Sequence, residues 1–216
     1  MNEKTHILFD LDGTITDSFE GICKSAQYAL QYFGITVPDF DTLRPFIGPP
    51  LRDSFRNLFG FNDEQVEQAV TRYREYFSVT GLLENTLYTG MDVLLPRLKA
   101  EGKLLCVATS KATVYAQKIL QHFNIAQHFH FIAGSELDGQ RSKKAEVIRY
   151  ALEHMPVINL KNAVMIGDRK HDVLGAKEIG MDCIGVLYGY GDEAELTAAG
   201  VTVMVDSVED LGRLLL

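Results

Sequence analysis

The chain has 216 residues, of which 46% are hydrophobic and 23% charged, and its formal net charge at pH 7 is -8. This composition is typical of a globular protein, and the negative charge argues against a nucleic-acid-binding protein because no basic face could easily dominate. The sequence also lacks an apolar run of the roughly 20 residues that a membrane-spanning helix needs.

The start of the chain and its cysteines predict a cytoplasmic protein. The polar residues 1–4 lead directly into a strand-like run, which is not the shape of a signal peptide. Cys23, Cys106 and Cys183 lie far apart and match no zinc-binding spacing. We therefore expect buried, free thiols in a reducing compartment.

Short apolar runs alternate with helical patterns along most of the chain. The strand-like runs are 7–11, 103–108, 129–133, 163–166, 183–186 and 201–205, and the helical patterns between them are 114–123, 145–154, 173–179 and 193–199. This alternation predicts an α/β fold with a doubly wound, mostly parallel sheet. Ligands of such sheets bind at the carboxyl ends of the strands.

The connection after the first strand is too long for one crossover. It has 90 residues between Asp12 and Lys103, whereas a whole βαβ unit takes about 30. Helical patterns at 19–33 and 66–77 predict an inserted all-helical cap over residues 16–82, with residues 1–15 and 83–216 forming the core. We expect the cap to lie over the end of the first strand, either as a moving lid or as a fixed decoration. Pro96 is expected to kink the helix predicted at 91–101, or to start a shorter one.

Two carboxylates lie at the end of the first strand. Asp10 and Asp12 are two residues apart, so in an extended strand they point to the same side. Like charges held this close raise each other's pKa and are tolerated mainly where a cation or a reaction needs them. The alternative is an ordinary turn, since Asp and Gly are common turn residues.

Polar groups follow other strands at the same edge. Thr109 and Ser110 carry hydroxyls that can donate to phosphate-like oxygens, although such a pair is also a routine helix N-cap. Lys143 and Lys144 precede a predicted helix, and a lysine there can neutralise an anion. Spacing alone does not show which of the two lysines lies in the site.

Two further carboxylates, Asp168 and Asp172, lie at the start of a predicted helix, where an N-cap is the alternative role for Asp168. Four carboxylates around one cleft would repel one another strongly without a cation. Because all the donors are oxygens, the expected cation is Mg²⁺.

These motifs, in this order, resemble those of the haloacid dehalogenase superfamily of phosphohydrolases. The resemblance rests on residues 10–14, 109–111, Lys144 and 167–172, and it spans nearly the whole chain. The helical insertion is similar to the cap of the phosphoglycolate phosphatase and β-phosphoglucomutase branch. Within it, residues 47–51 resemble the glycine-containing cap segment of phosphoglycolate phosphatase-like members.

The resemblance implies a role for each carboxylate. Asp10 would attack phosphorus as the nucleophile, and Asp12 would protonate the leaving oxygen and then act as base on water. Mg²⁺ would be held by Asp10, by the backbone carbonyl of Asp12 and by Asp168. Asp172 would support the metal's waters or the site lysine.

The resemblance also implies a phosphate-binding set. Thr109, with the amides near Gly13 and Ser110, would hold the phosphate oxygens. Lys144 is assigned as the site lysine because it has the register of the lysine in members that lack a following proline. Arg169 departs from the common Thr or Ser after the fourth-motif aspartate, so it is expected to alter the edge of the site or to contact the substrate.

The expected function is Mg²⁺-dependent hydrolysis of a small phosphorylated metabolite, such as phosphoglycolate, by a monomer or homodimer with no nucleic-acid or membrane partner. A 5'-nucleotidase, a pyrophosphatase and a phosphomutase remain open, because they would share the same core. A dehalogenase is disfavoured, since a halide leaving group gives Asp12 no role. A phosphoacceptor signalling domain is disfavoured by Asp12 and by the long insertion.

Overall fold

The computed structural model describes residues 3–156 and 159–216. Residues 1–2 of the polar start of the sequence lie outside the described residues. The strands are β1 (His6–Phe9), β2 (Thr16–Asp17), β3 (Thr86–Leu87), β4 (Leu104–Ala112), β5 (Phe131–Ser135), β6 (Ala163–Gly167), β7 (Asp182–Val186) and β8 (Val203–Val205). The α-helices are α1 (Phe19–Tyr32), α2 (Leu51–Phe59), α3 (Asp63–Tyr76), α4 (Met91–Ala100), α5 (Thr113–His122), α6 (Lys144–Glu153), α7 (Lys170–Glu178), α8 (Glu193–Ala199) and α9 (Val208–Leu215).

Six of the strands form one parallel sheet in the order β5-β4-β1-β6-β7-β8. β1 lies between β4 and β6, so that Phe9 is opposite both Val107 and Ile166. The predicted α/β fold with a parallel sheet is therefore confirmed. Because the strands are parallel, the residues that follow β1 and β6 and the last residues of β4 all lie at one edge of the sheet.

Both faces of the central strands are buried. Leu8 and Met165 pack with Ile148 of α6 and Ala176 of α7 in one apolar cluster. The alternate residues point to the opposite face, and Ile7 is fully buried there as well. Burying one such side chain contributes about 1.5–3 kcal/mol, so the strand that carries the first carboxylates is firmly held.

The chain separates into two compact units, Met1–Asp17 with Leu87–Leu216, and Ser18–Thr86. The second unit contains α1 and α3, which are the helices predicted at 19–33 and 66–77. Asn62 caps α3 by accepting from the backbone N–H of Gln65, and Val66, Val70 and Tyr73 are buried. The predicted cap boundaries, 16–82, stay a prediction about domain organisation. No helix that the described ranges contain combines the length and apolarity needed to cross a membrane.

Pro96 does not start a new helix. It lies inside α4, which continues from Met91 to Ala100, so the prediction of a shorter helix beginning there is wrong. Proline lacks the N–H that would bond to the carbonyl of Asp92, one turn earlier, and costs about 3 kcal/mol in a helix interior. Leu95 and Leu98 on the same helix are fully buried, and their packing offsets this cost.

Candidate active site

A tight turn follows β1 and presents Asp10 and Asp12 at the edge of the sheet. The carbonyl of Leu11 accepts from the backbone N–H of Thr16 at 3.0 Å, and the N–H of Gly13 donates to the carbonyl of Thr16 at 2.8 Å. Gly13 has a φ of +83°, which favours glycine. A Cβ at Gly13 would lie 2.1 Å from a carboxylate oxygen of Asp168. Glycine is therefore what allows the turn to approach this second carboxylate.

Asp10 is buried and paired with a lysine. Its Oδ1 lies 2.9 Å from Nζ of Lys144 and accepts the backbone N–H of Leu11 at 2.7 Å. Burial raises the pKa of Asp10 to about 6, Lys144 opposes this rise, and the charges of Asp172 and Asp12 add to it. Asp10 is therefore mainly ionised at neutral pH, although its buried environment disfavours the charge.

Lys144, the first residue of α6, is the lysine that reaches the site. Its Nζ also lies 2.8 Å from Oδ1 of Asp172 and 3.1 Å from the carbonyl oxygen of Ala108. Burial alone would lower the pKa of Lys144, but the charges of Asp10 and Asp172 outweigh it and raise that pKa above its usual range. Lys143, by contrast, is exposed.

Asp168 and Asp172 are fully buried beside this lysine. Asp168 accepts the backbone N–H of Tyr190 at 2.8 Å, and Asp172 accepts the backbone N–H of Arg169 at 3.0 Å. The pKa of Asp168 is raised well above its ordinary value, first by burial and then by the charges of Asp172 and Asp10. A cation bound next to Asp168 would stabilise the ionised form of its carboxyl group.

Asp10, Asp168 and Asp172 form a cluster that fits a divalent cation. Each offers a carboxylate oxygen, and these oxygens lie within 4.8 Å of one another. Oxygen donors with uncompensated negative charge suit Mg²⁺. The side chain of Asp12 is not part of this cluster, and the ligand predicted from that residue was its backbone carbonyl.

Asp12 has a lysine of its own, which the sequence interpretation left without a role. Oδ2 of Asp12 lies 2.8 Å from Nζ of Lys111. The backbone N–H of Lys111 donates to Oγ1 of Thr109 at 3.2 Å, and the carbonyl of Ser110 accepts from Oγ of Ser135 at 2.8 Å. The pair with Asp12 and the bond to Thr109 place Lys111 and Thr109 at the same edge as the two aspartates, where Thr109 is buried.

The loop after β7 also reaches the site, which the sequence interpretation did not foresee. The hydroxyl of Tyr188 donates to the carbonyl of Thr14 at 3.1 Å, and that of Tyr190 donates to Oδ1 of Asp17 at 2.8 Å. A Cβ at Gly189 would lie 2.4 Å from Cβ of Asp168. The alternating Tyr-Gly pattern that follows this strand was the available signal for such a close approach.

Comparison with known proteins identifies the family. Residues 7–186 match the family model described as haloacid dehalogenase-like hydrolase. The chain belongs to this family. The match confirms both the family resemblance and the hydrolase class that the motifs predicted.

Three similar proteins illustrate the range of this family. A 5'-nucleotidase from Pseudomonas aeruginosa is 50% identical over 193 residues, covering 89% of this chain and 87% of the relative. The tyrosine-protein kinase PtkA of Mycobacterium tuberculosis is 40% identical over 207 residues, covering 95% and 70%. The crystal structure of a predicted phosphatase from Clostridium acetobutylicum is 47% identical, with a TM-score of 0.94 and 97% of each chain covered.

Arg169 is the departure from the common fourth motif of the haloacid dehalogenase-like family, and it contacts α8. Its Nε donates to Oε1 of Glu195 at 2.8 Å, and the backbone N–H of Lys170 donates to the same oxygen at 2.9 Å. This ion pair joins the start of α7 to α8. A contact between Arg169 and a substrate stays a prediction.

Proposed function

We propose that this phosphoric monoester hydrolase of the haloacid dehalogenase-like family hydrolyses a small phosphorylated metabolite with Mg²⁺, through a phosphoryl group carried on Asp10. The observation that carries the proposal is the buried cluster of Asp10, Asp168 and Asp172 with Lys144 against it. We also propose that the predicted helical cap, residues 16–82, selects the substrate. Cytoplasmic localisation and a monomer or homodimer are retained as predictions.

The charges of the site support a divalent cation. When ionised, Asp10, Asp168 and Asp172 carry three negative charges, and the ammonium group of Lys144 leaves two of these uncompensated. Asp10, Asp168 and the backbone carbonyl of Asp12 would hold Mg²⁺, with Asp172 supporting it. The bound ion would supply positive charge against the phosphoryl oxygens.

The side chains divide the reaction into two transfers. The carboxylate of Asp10 forms a bond to phosphorus as the bond to the leaving oxygen breaks, and Asp12 gives that oxygen a proton. Water then attacks the same phosphorus and gives a proton to Asp12, and Asp10 leaves as a carboxylate. Thr109 and Lys144 bind the phosphoryl oxygens.

We expect Mg²⁺ to bind at Asp168 and to be required for turnover. Chelation should abolish hydrolysis of p-nitrophenyl phosphate, and Mg²⁺ should restore it. In a thermal-unfolding measurement, saturating Mg²⁺ should raise the Tm of the wild type by about 5–10 °C. The Asp168→Asn variant should lose this rise, because the amide brings no charge to the cation.

The metal-free Tm of Asp168→Asn should be no lower than that of the wild type, since burial already disfavours the charged carboxylate. Asp92→Asn, on the exposed side of α4, is the matched control and should respond to Mg²⁺ as the wild type does. An equal rise in Tm for Asp168→Asn would contradict the proposed metal site.

The substrate has two leading candidates. Phosphoglycolate is predicted from the cap segment 47–51, and a nucleoside 5'-monophosphate is favoured by the similarity to the Pseudomonas aeruginosa 5'-nucleotidase. A panel of both with pyrophosphate and sugar phosphates, compared by kcat/KM, should give one class at least about tenfold above the others. Preference for pyrophosphate, or turnover of no compound above the aryl phosphate, would contradict the proposed substrate class.

A further inference from the structure

The two carboxylate oxygens of Asp12 have different surroundings. Oδ2 is paired with Nζ of Lys111 at 2.8 Å, and the side chains are 12% and 6% exposed, respectively. Oδ1 is buried and has no hydrogen-bond partner within residues 3–156 and 159–216. A buried carboxylate oxygen without a partner is costly, so such an atom in a native site needs an explanation.

We propose that Lys111 is a positioning residue for Asp12, which fixes Oδ1 as the oxygen that exchanges protons with the leaving group and with water. This inference rests on the proposed phosphatase function. Turning the Asp12 carboxylate out of its plane would break its bond to Lys111, so the ammonium group holds that plane and leaves one oxygen facing away from Lys111. Oδ1, the oxygen that Lys111 does not contact, is then left to face the leaving group and water.

The backbone on both sides of this pair is held in place. Lys111 belongs to β4, and its backbone N–H donates to Oγ1 of Thr109. Asp12 belongs to the turn that is closed by the bond from Gly13 to Thr16. Because both backbones are already fixed, forming the pair orders only the side chains, which makes it a defined orienting contact.

A purely structural role explains the pair less well. A buried ion pair contributes little net stability, because desolvation of both charges offsets their attraction. A separate lysine, Lys144, already reaches Asp10 and Asp172. Lys111 pairs with Asp12 instead, and it orients this residue without exchanging a proton itself.

The proton movements follow from this orientation. In the first transfer the proton on Oδ1 of Asp12 passes to the leaving oxygen as the phosphorus–oxygen bond breaks and the Asp10–phosphorus bond forms. In the second transfer water loses a proton to the same Oδ1 while its oxygen bonds to phosphorus and Asp10 is released. Lys111 keeps its three protons throughout.

The test is a double-mutant cycle measured with two leaving groups. For each protein, kcat/KM is determined with p-nitrophenyl phosphate and with an alkyl phosphate, whose poor leaving group needs a proton. Lys111→Met should lower kcat/KM for the alkyl phosphate by about 10- to 100-fold and for the aryl phosphate by less than about threefold. The ratio of the two values is independent of the fraction of folded enzyme.

In the Asp12→Asn background, Lys111→Met should cause no further loss, because it acts through Asp12. Lys111→Arg should recover most of the alkyl phosphate activity, and the exposed Lys118→Met on α5 should match the wild type. An undiminished effect of Lys111→Met in the Asp12→Asn background would overturn the proposal and assign Lys111 to substrate binding. An unchanged ratio in Lys111→Met alone would also overturn it.

These outcomes are distinct from failure of the proposed function. If the wild type did not hydrolyse either phosphate with Mg²⁺, the phosphatase function itself would fail. If the wild type turned over normally and Lys111→Met retained its leaving-group ratio, only the role of Lys111 would fail.

Discussion

Replacing Asp10 with Asn should lower turnover of every phosphate ester by at least about a thousandfold. The amide has the shape of the carboxylate, but it cannot serve as the nucleophile that forms an acyl phosphate. The loss should therefore be the same for good and poor leaving groups. Steady-state kinetics with p-nitrophenyl phosphate and an alkyl phosphate would measure it.

The variant should fold at least as well as the wild type. Burial raises the pKa of Asp10 to about 6, so the fold disfavours its charge, and Lys144 keeps its pair with Asp172 when Asp10 is neutral. The metal-free Tm should consequently be unchanged or higher. Rapid acid quenching with ³²P-labelled substrate should label the wild-type protein and leave Asp10→Asn unlabelled. Labelled, active Asp10→Asn would refute the proposed nucleophile.

Replacing Asp12 with Asn should separate the two halves of the reaction. The alkyl phosphate should lose about 10²- to 10⁴-fold in kcat/KM, because its leaving oxygen receives no proton. The p-nitrophenolate ion leaves without a proton, so transfer to Asp10 should continue. The second transfer should become slow, since water lacks its base.

A stopped-flow measurement should therefore show a burst of close to one equivalent of p-nitrophenol per site with Asp12→Asn, followed by slow release. Asp92→Asn is again the matched control and should show the wild-type time course. Equal losses for both esters without a burst would argue that Asp12 has only a structural role.

The central sheet could be predicted because each strand is marked by a local apolar run. The same reasoning placed Asp10, Thr109 and Asp168 at one edge, since parallel strands end on the same side. It could not choose between Lys143 and Lys144, because both precede the same helix. The choice depends on the direction of the first turn of α6, where Lys144 is buried and Lys143 exposed.

Contacts between distant segments were harder to predict. The pair between Lys111 and Asp12 depends on the reach of a long side chain across two neighbouring strands, which residue spacing does not encode. The same is true of Tyr190, which follows β7 and bonds to both Asp17 and Asp168. The alternative in which Pro96 starts a shorter helix was wrong for a different reason, because local preference was outweighed by burial of the leucines around it.

The place of β1 in the sheet has a consequence for synthesis on the ribosome. This strand emerges before both of its neighbours, because β4 and β6 begin only at residues 104 and 163. Domains form as units during synthesis, so the nascent chain carries an apolar strand with at least one unpaired edge until β6 has been made. A chaperone that shields residues 6–9 should thus increase the yield of active enzyme more than one that acts on the completed chain.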